Sequence, residues 1–144
     1  MSNKKIGIVM GSDSDLSTMQ ETLNVLDEFG VKYDVDVISC HRTPQRAHKY
    51  AMTADKKGYK VIIGGAGGSA HLAGVIASMA PIPVIGVPML TPDLGGLDSL
   101  YSIVQMPGGV PVAAVGIGKA GAKNAAILAI QIKEGHNRSQ KEEK

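Results

Sequence analysis

Six consecutive residues, Ser39-Cys-His-Arg-Thr-Pro44, bring together an imidazole, a guanidinium, a thiol and two hydroxyls. Histidine is the side chain whose ordinary pKa lies near neutrality, so His41 can both give and take a proton. Arg42 offers a planar fork that matches phosphate or carboxylate. The chain has three arginines, and two of them, Arg42 and Arg46, fall in this segment or just beyond it. Cys40 stands beside a histidine, but no partner acid or oxyanion motif accompanies them, so it reads as a small filler rather than a nucleophile. The plainer alternative is a surface loop with an incidental histidine.

Two other segments could meet a ligand. In Gly64-Gly-Ala-Gly-Gly-Ser-Ala-His71, four glycines in five positions let a ligand reach the main chain and its N–H groups. This is neither the dinucleotide fingerprint, whose spacing is absent after the first strand, nor a phosphate loop ending in Gly-Lys-Ser/Thr. His71 either touches a ligand or orients the loop through a ring nitrogen. Gly11-Ser-Asp-Ser-Asp15 precedes a helix, where N–H groups and hydroxyls favour an anion. The same residues also suit plain capping by Ser12 or Ser14, and Asp13 and Asp15 would repel a phosphate unless they bind sugar hydroxyls. His48 and His136 have no constellation around them. No set of His, Cys or carboxylate positions has metal-ligand spacing, so no metal is expected.

The elements that must position these loops are legible from periodicity. Lys5–Met10 is a short apolar, β-branched strand. Leu16, Met19, Leu23, Leu26 and Phe29 share one helical face, and Gly30 ends that helix. Further strands are expected over 31–39, 60–64, 83–87 and 110–117. Helices are expected from Pro44 to about Lys57, and over 70–79, 97–104 and 119–133. Strand and helix alternate five times, which predicts an α/β, single-domain, three-layer doubly wound parallel sheet of the flavodoxin or Rossmann-like kind. Residues 1–134 form that domain, and 135–144 a polar tail. In such sheets ligands bind beyond the carboxyl ends of the strands, which puts loops 11–15, 39–44, 65–71, 88–96 and 106–109 at the working edge.

Composition narrows the class. The net charge of +2 and the presence of only one Phe, four Tyr and no Trp leave neither a basic footprint nor stacking platforms for nucleic acid. A lone cysteine fits a reducing compartment, and no apolar run is long enough to span a membrane, so a cytoplasmic protein is expected. With 18 glycines and few rings, the core must be built from aliphatic side chains at close backbone approach. Ala120, Ala122, Ala125, Ala126 and Ala129 read as a subunit-packing surface on the last helix.

Four segments together resemble the class I N(5)-carboxyaminoimidazole ribonucleotide mutase family of purine biosynthesis. They are Val9-Met-Gly-Ser-Asp-Ser-Asp15, Ser39-Cys-His-Arg-Thr-Pro44, Gly65-Ala-Gly-Gly-Ser-Ala-His-Leu72 and Asp98-Ser-Leu-Tyr-Ser-Ile-Val-Gln-Met-Pro-Gly-Gly-Val-Pro111. The resemblance runs over about residues 5–133. It implies conversion of N(5)-carboxyaminoimidazole ribonucleotide to 4-carboxyaminoimidazole ribonucleotide without cofactor or metal. His41 would move the proton, Arg42 would hold phosphate, and Ser12 and Asp15 would lie by the ribose phosphate. Gly11, Asp13, Ser39, Cys40, Gly67, Gly68, Ser69, His71 and Leu72 would complete the substrate site. It also implies a homo-octamer with sites shared between subunits. Cys40 and Ser69 stand where the family commonly has alanine, and Ala73 replaces the proline of its His-Leu-Pro-Gly. The class II relatives, which carboxylate aminoimidazole ribonucleotide directly, typically have Lys where Arg42 stands, so Arg42 favours class I. The alternatives are such a direct carboxylase, or a non-catalytic nucleotide-binding module of flavodoxin type, for which His41 would be dispensable.

Overall fold

The computed structural model describes residues 5–135. The tail expected over 135–144, and His136 with it, lies outside the described residues apart from Gly135.

Successive side chains of a strand point to opposite faces. In β1 (Lys5–Met10), Ile6, Ile8 and Met10 therefore enter one core and Val9 the other. Val61 and Ile63 part from Ile62 in the same way in β3 (Tyr59–Ala66), as do Ile85 and Val87 from Val84 in β4 (Val84–Pro88). With β2 (Tyr33–Val37) and β5 (Ala113–Ala114) at its edges, the sheet runs β2-β1-β3-β4-β5, and every pairing is parallel. Helices α1 (Leu16–Glu28) and α5 (Lys119–Glu134) cover the first face. The second is covered by α2 (Pro44–Thr53), α3 (Leu72–Ala77) and α4 (Leu97–Val104). This is the three-layer doubly wound sheet that the alternation predicts.

Boundaries differ from the sequence reading in instructive places. β3 continues to Ala66 because Gly65 still pairs with Met10 and Val87, so two residues expected in the loop belong to the strand. β5 is reduced to two residues, and Pro111 just before it lacks the N–H that would extend the ladder. β2 is confined to 33–37, α2 ends at Thr53, and α3 is shorter than the expected 70–79. Gly30 does take the left-handed conformation of a helix-ending residue, at φ +66°.

Two close approaches set the layer spacing. Gly64 and Gly86 are neighbours in register, and a Cβ on either would lie 3.5 and 3.3 Å from the Cβ of Ala73, which seats α3 directly on the sheet. Ala73, the departure from the family's proline, is thus a packing residue. On the opposite face, Gly121 at the start of α5 rests on the backbone of Gly116, and a Cβ there would run into the Gly116 carbonyl oxygen. The alanine-rich face of α5 is a correction to the sequence reading. Ala122, Ala125, Ala126 and Ala129 are fully buried within the chain, in the core shared with α1, and only Ala120 of the five is exposed. Small side chains there let two helices approach, and the buried Thr22 hydroxyl donates to the Ala122 carbonyl at 2.7 Å.

Backbone cannot yield as a side chain can, so Gly121→Ala is expected to destabilise the fold by about 3 kcal/mol or more. Urea unfolding should show it as a lower midpoint; an unchanged midpoint would mean the α5 seat is soft.

Candidate functional site

Since β2 pairs with one edge of β1 and β3 with the other, the chain leaves β1 for the α1 face and β3 for the α3 face. The divergence opens a crevice at the carboxyl ends of these strands. A cavity of about 810 Å³ fills it, lined by 11–15, by Val37 and 39–42, and by Ala66, Gly67, Ser69, His71 and Leu72.

In the first loop the Ser12 hydroxyl accepts the N–H of Ser14 at 3.3 Å, capping a 3₁₀ turn over Asp13–Asp15. Capping and cavity lining, alternatives in the sequence, are both served by Ser12. Asp15 occupies the N-cap of α1, yet its side chain makes no capping hydrogen bond. Burial pushes its carboxyl above the ordinary range; a hydrogen bond from the Ser12 backbone opposes the shift and the Asp13 charge adds to it. The carboxylate caps no N–H of α1 and lines the cavity, so its remaining lone pairs can meet ligand hydroxyls.

In the second loop the Ser39 carbonyl accepts both the N–H and the hydroxyl of Thr43, each at 2.7 Å, while the Ser39 hydroxyl takes the Arg42 N–H at 3.3 Å. This tight turn leaves His41 and Arg42 exposed at the cavity. Arg46 instead donates to the Val37 carbonyl at 3.2 Å and braces the end of β2. Of the two neighbouring arginines, only Arg42 lines the cavity. Burial pushes the Cys40 thiol up, with its backbone hydrogen bond opposing, so it is a thiol rather than a thiolate at neutral pH.

The third loop winds tightly. The Gly68 carbonyl accepts the Ala70 N–H and the Ser69 carbonyl the His71 N–H, both at 2.8 Å. Gly68 sits at φ +67°, where side chains are strained, and its N–H donates to the Ser99 hydroxyl at 3.0 Å. The turn therefore presents Gly67 and Ser69 to the cavity, while the Gly68 N–H is committed to α4. His71 Nδ1 lies 2.9 Å from His41 Nε2, with the rings edge to face at 5.0 Å between centroids. One of these nitrogens must donate and the other accept, so the facing pair shares one proton.

The cavity also includes Ser14, Val37 and Ala66. Ser14 lies inside a motif the sequence already marked; Val37 and Ala66 end strands and carry no chemical signal. Loops 88–96 and 106–109 share the edge without lining this cavity. Met89 backs it, 3.1 Å from where a Cβ on the lining residue Gly67 would stand, while Met106 packs on α3, 2.9 Å from where a Cβ on Gly74 would stand. Among the described residues no group of three His, Cys, Asp or Glu could hold a metal ion, and no helix is long and apolar enough to cross a membrane.

The family model described as AIR carboxylase matches residues 5–143. The chain is 62% identical over 128 residues to the N5-carboxyaminoimidazole ribonucleotide mutase of Pyrococcus abyssi, covering 89% of this chain and 72% of that one. It is 58% identical over 132 residues to the protein of the same name from Synechocystis, covering 92% and 74%. The crystal structure of Treponema denticola PurE superposes with a TM-score of 0.82 at 27% identity, over 94% of this chain and 84% of that one.

The raised carboxyl of Asp15 makes a stability prediction. A carboxyl with a folded value above its unfolded one favours folding only while protonated, and opposes it once pH rises through the folded value. Asp15→Asn should therefore raise the thermal midpoint at pH 7, and the gain should vanish below the ordinary carboxyl range. A lowered midpoint at pH 7 would contradict the cost assigned to this charge.

Proposed function

Since the chain belongs to the AIR carboxylase family, we propose that its cavity is the active site of an N5-carboxyaminoimidazole ribonucleotide mutase of purine biosynthesis. The observation that carries this reading is the His41–His71 contact at 2.9 Å, inside a cavity walled by three of the four segments that carry the family resemblance. Arg42, the guanidinium in the cavity, takes the substrate phosphate, and Asp15 with Ser12 takes ribose hydroxyls. This division resolves the conflict between acids and phosphate in one site. Gly11, Asp13, Ser39, Cys40, Gly67, Ser69, His71 and Leu72 complete the wall around the imidazole.

The reaction follows from the substrate's own chemistry. The bond between the exocyclic nitrogen and the carboxylate breaks, releasing carbon dioxide and leaving its electron pair on nitrogen. Protonated His41 delivers a proton to that nitrogen, giving the electron-rich aminoimidazole. Its carbon 4 attacks the retained carbon dioxide, forming a carbon–carbon bond and a ring carbon that still bears hydrogen. Neutral His41 removes that proton, which restores the aromatic ring and the starting state of the enzyme. His71 holds the His41 ring through the shared proton and fixes its direction. Gly67 and Ser69, set close to the reacting ring, keep carbon dioxide from escaping. The cycle leaves no net proton and needs no cofactor or metal.

The working unit is a homo-oligomer, an octamer by the family resemblance, in the cytoplasm. Supporting it is an apolar stripe on the outer side of α4, where Leu97, Tyr101 and Val104 are 47%, 60% and 45% exposed, beside Leu90 and Leu94 at 72% and 59%.

Purified protein should turn over the carbamate substrate without added bicarbonate; a requirement for bicarbonate would indicate direct carboxylation instead. His41→Asn should lower kcat by roughly 10²–10⁴, the span of lost acid–base catalysis, with substrate still bound. Cys40→Ala should stay within about threefold of wild type, since a protonated thiol takes no part. Light scattering should give an assembly well above the monomer mass, and Leu97→Lys with Tyr101→Lys should reduce it; an unchanged mass would place the contact elsewhere.

A further inference from the structure

Helix α4 contributes no side chain to the lining of the cavity, yet its inner side is polar where burial predicts an apolar residue. Ser99 is fully buried, and its hydroxyl oxygen accepts the Gly68 N–H at 3.0 Å. One turn on, the Ser102 hydroxyl stands 3.3 Å from the Gly68 carbonyl oxygen and 2.8 Å from that of Asp98. Residues three apart lie on one side of a helix, so α4 grips both polar groups of a single glycine. That glycine is the left-handed pivot on which Gly67 and Ser69 turn toward the cavity.

The helix is itself fixed at its start. Thr91 donates its hydroxyl to Asp98 at 2.6 Å and accepts the Gly96 N–H at 2.9 Å, so loop 88–96 sets where α4 begins. Ile103 holds the helix on the sheet, its Cγ2 lying 2.5 Å from where a Cβ on Gly86 would stand. Position along the helix axis and depth against the sheet are thereby both determined, and Ser99 carries them to the loop.

We propose that Ser99 is the positioning residue of the Gly67–His71 loop, setting the wall of the cavity and the station of His71 through the backbone of Gly68. It acts through that loop and touches no reacting atom. A hydroxyl serves here because the loop offers main chain, not a side chain, to hold. An apolar residue would fill the space and leave the Gly68 N–H without an acceptor. The catalytic consequence rests on the mutase reading; the consequence for the loop does not.

The test compares Ser99→Ala and Ser99→Thr in the full-length protein, by hydrogen–deuterium exchange and by turnover of the carbamate substrate. Ser99→Ala should speed exchange in a peptide spanning 66–72 by about tenfold or more, with β1 and β4 peptides unchanged. The same variant should lose about tenfold or more in kcat/KM, as expected for a displaced wall. Ser99→Thr, which keeps the oxygen, should restore slow exchange and most of the activity. Unchanged exchange at 66–72 in Ser99→Ala, acceleration spread evenly over the chain, or a Thr variant no better than Ala would each overturn the proposal. Should Ser99→Ala fail to fold, Ser102→Ala must still loosen the 66–72 peptide selectively, and no loosening there overturns it. Wild-type protein inactive on the carbamate would defeat the mutase reading while leaving the exchange result to judge Ser99.

Discussion

The placement of β2 and β3 on opposite sides of β1 is the constraint from which the site follows. A right-handed crossover from each strand carries its helix to one face or the other, and the direction reverses at β1. Two loops that diverge there cannot close over the strand ends, so a crevice exists before any side chain is chosen. The loops after β1, β2 and β3 then line that crevice. Everything else has to keep three carboxyl ends at fixed heights. Glycines at sheet positions do much of that, because Gly64 and Gly86 let α3 lie on the strands through Ala73. The loop leading into α3 begins from a closely packed surface.

Much of this was legible in the residues. The alternation of period-two and helical patterns gives five units and their order, since side-chain burial in strands and helices is local in sequence. The three chemical loops could be marked by residue type, and His41, Arg42 and the glycine cluster all reach one cavity. Less legible was anything set by distance through space. The sequence could not say that His71 faces His41, because thirty residues and a strand separate them. Nor could it show that Gly68 turns its N–H to Ser99, or that Arg46 braces β2 rather than a ligand. The alanines of α5 were misread for a related reason. Small residues permit close approach of any neighbour, and only the fold shows that the neighbour is α1.

The site is also where the structure accepts unfavourable local terms. Asp15 holds a partly desolvated carboxyl that a backbone hydrogen bond from Ser12 offsets only in part, and Gly68 holds a conformation that strains other residues. The hydrogen bonds that compensate lie outside the cavity, on α4 and in the Thr91–Asp98 pair. Stability and activity are thus drawn from different layers of the molecule. A change far from the cavity on α4 is accordingly not a neutral surface change.

The imidazole pair has a consequence for how the protein comes into being. His41 follows β2 and His71 follows β3, and both strands must be laid against β1 before the rings can meet. Each is a parallel pairing closed over a long crossover, which is the slow kind of contact to form. A chain with only one crossover in place has Arg42 but not the facing pair of imidazoles. The imidazole contact is therefore a property of the completed sheet, and neither crossover alone can supply it.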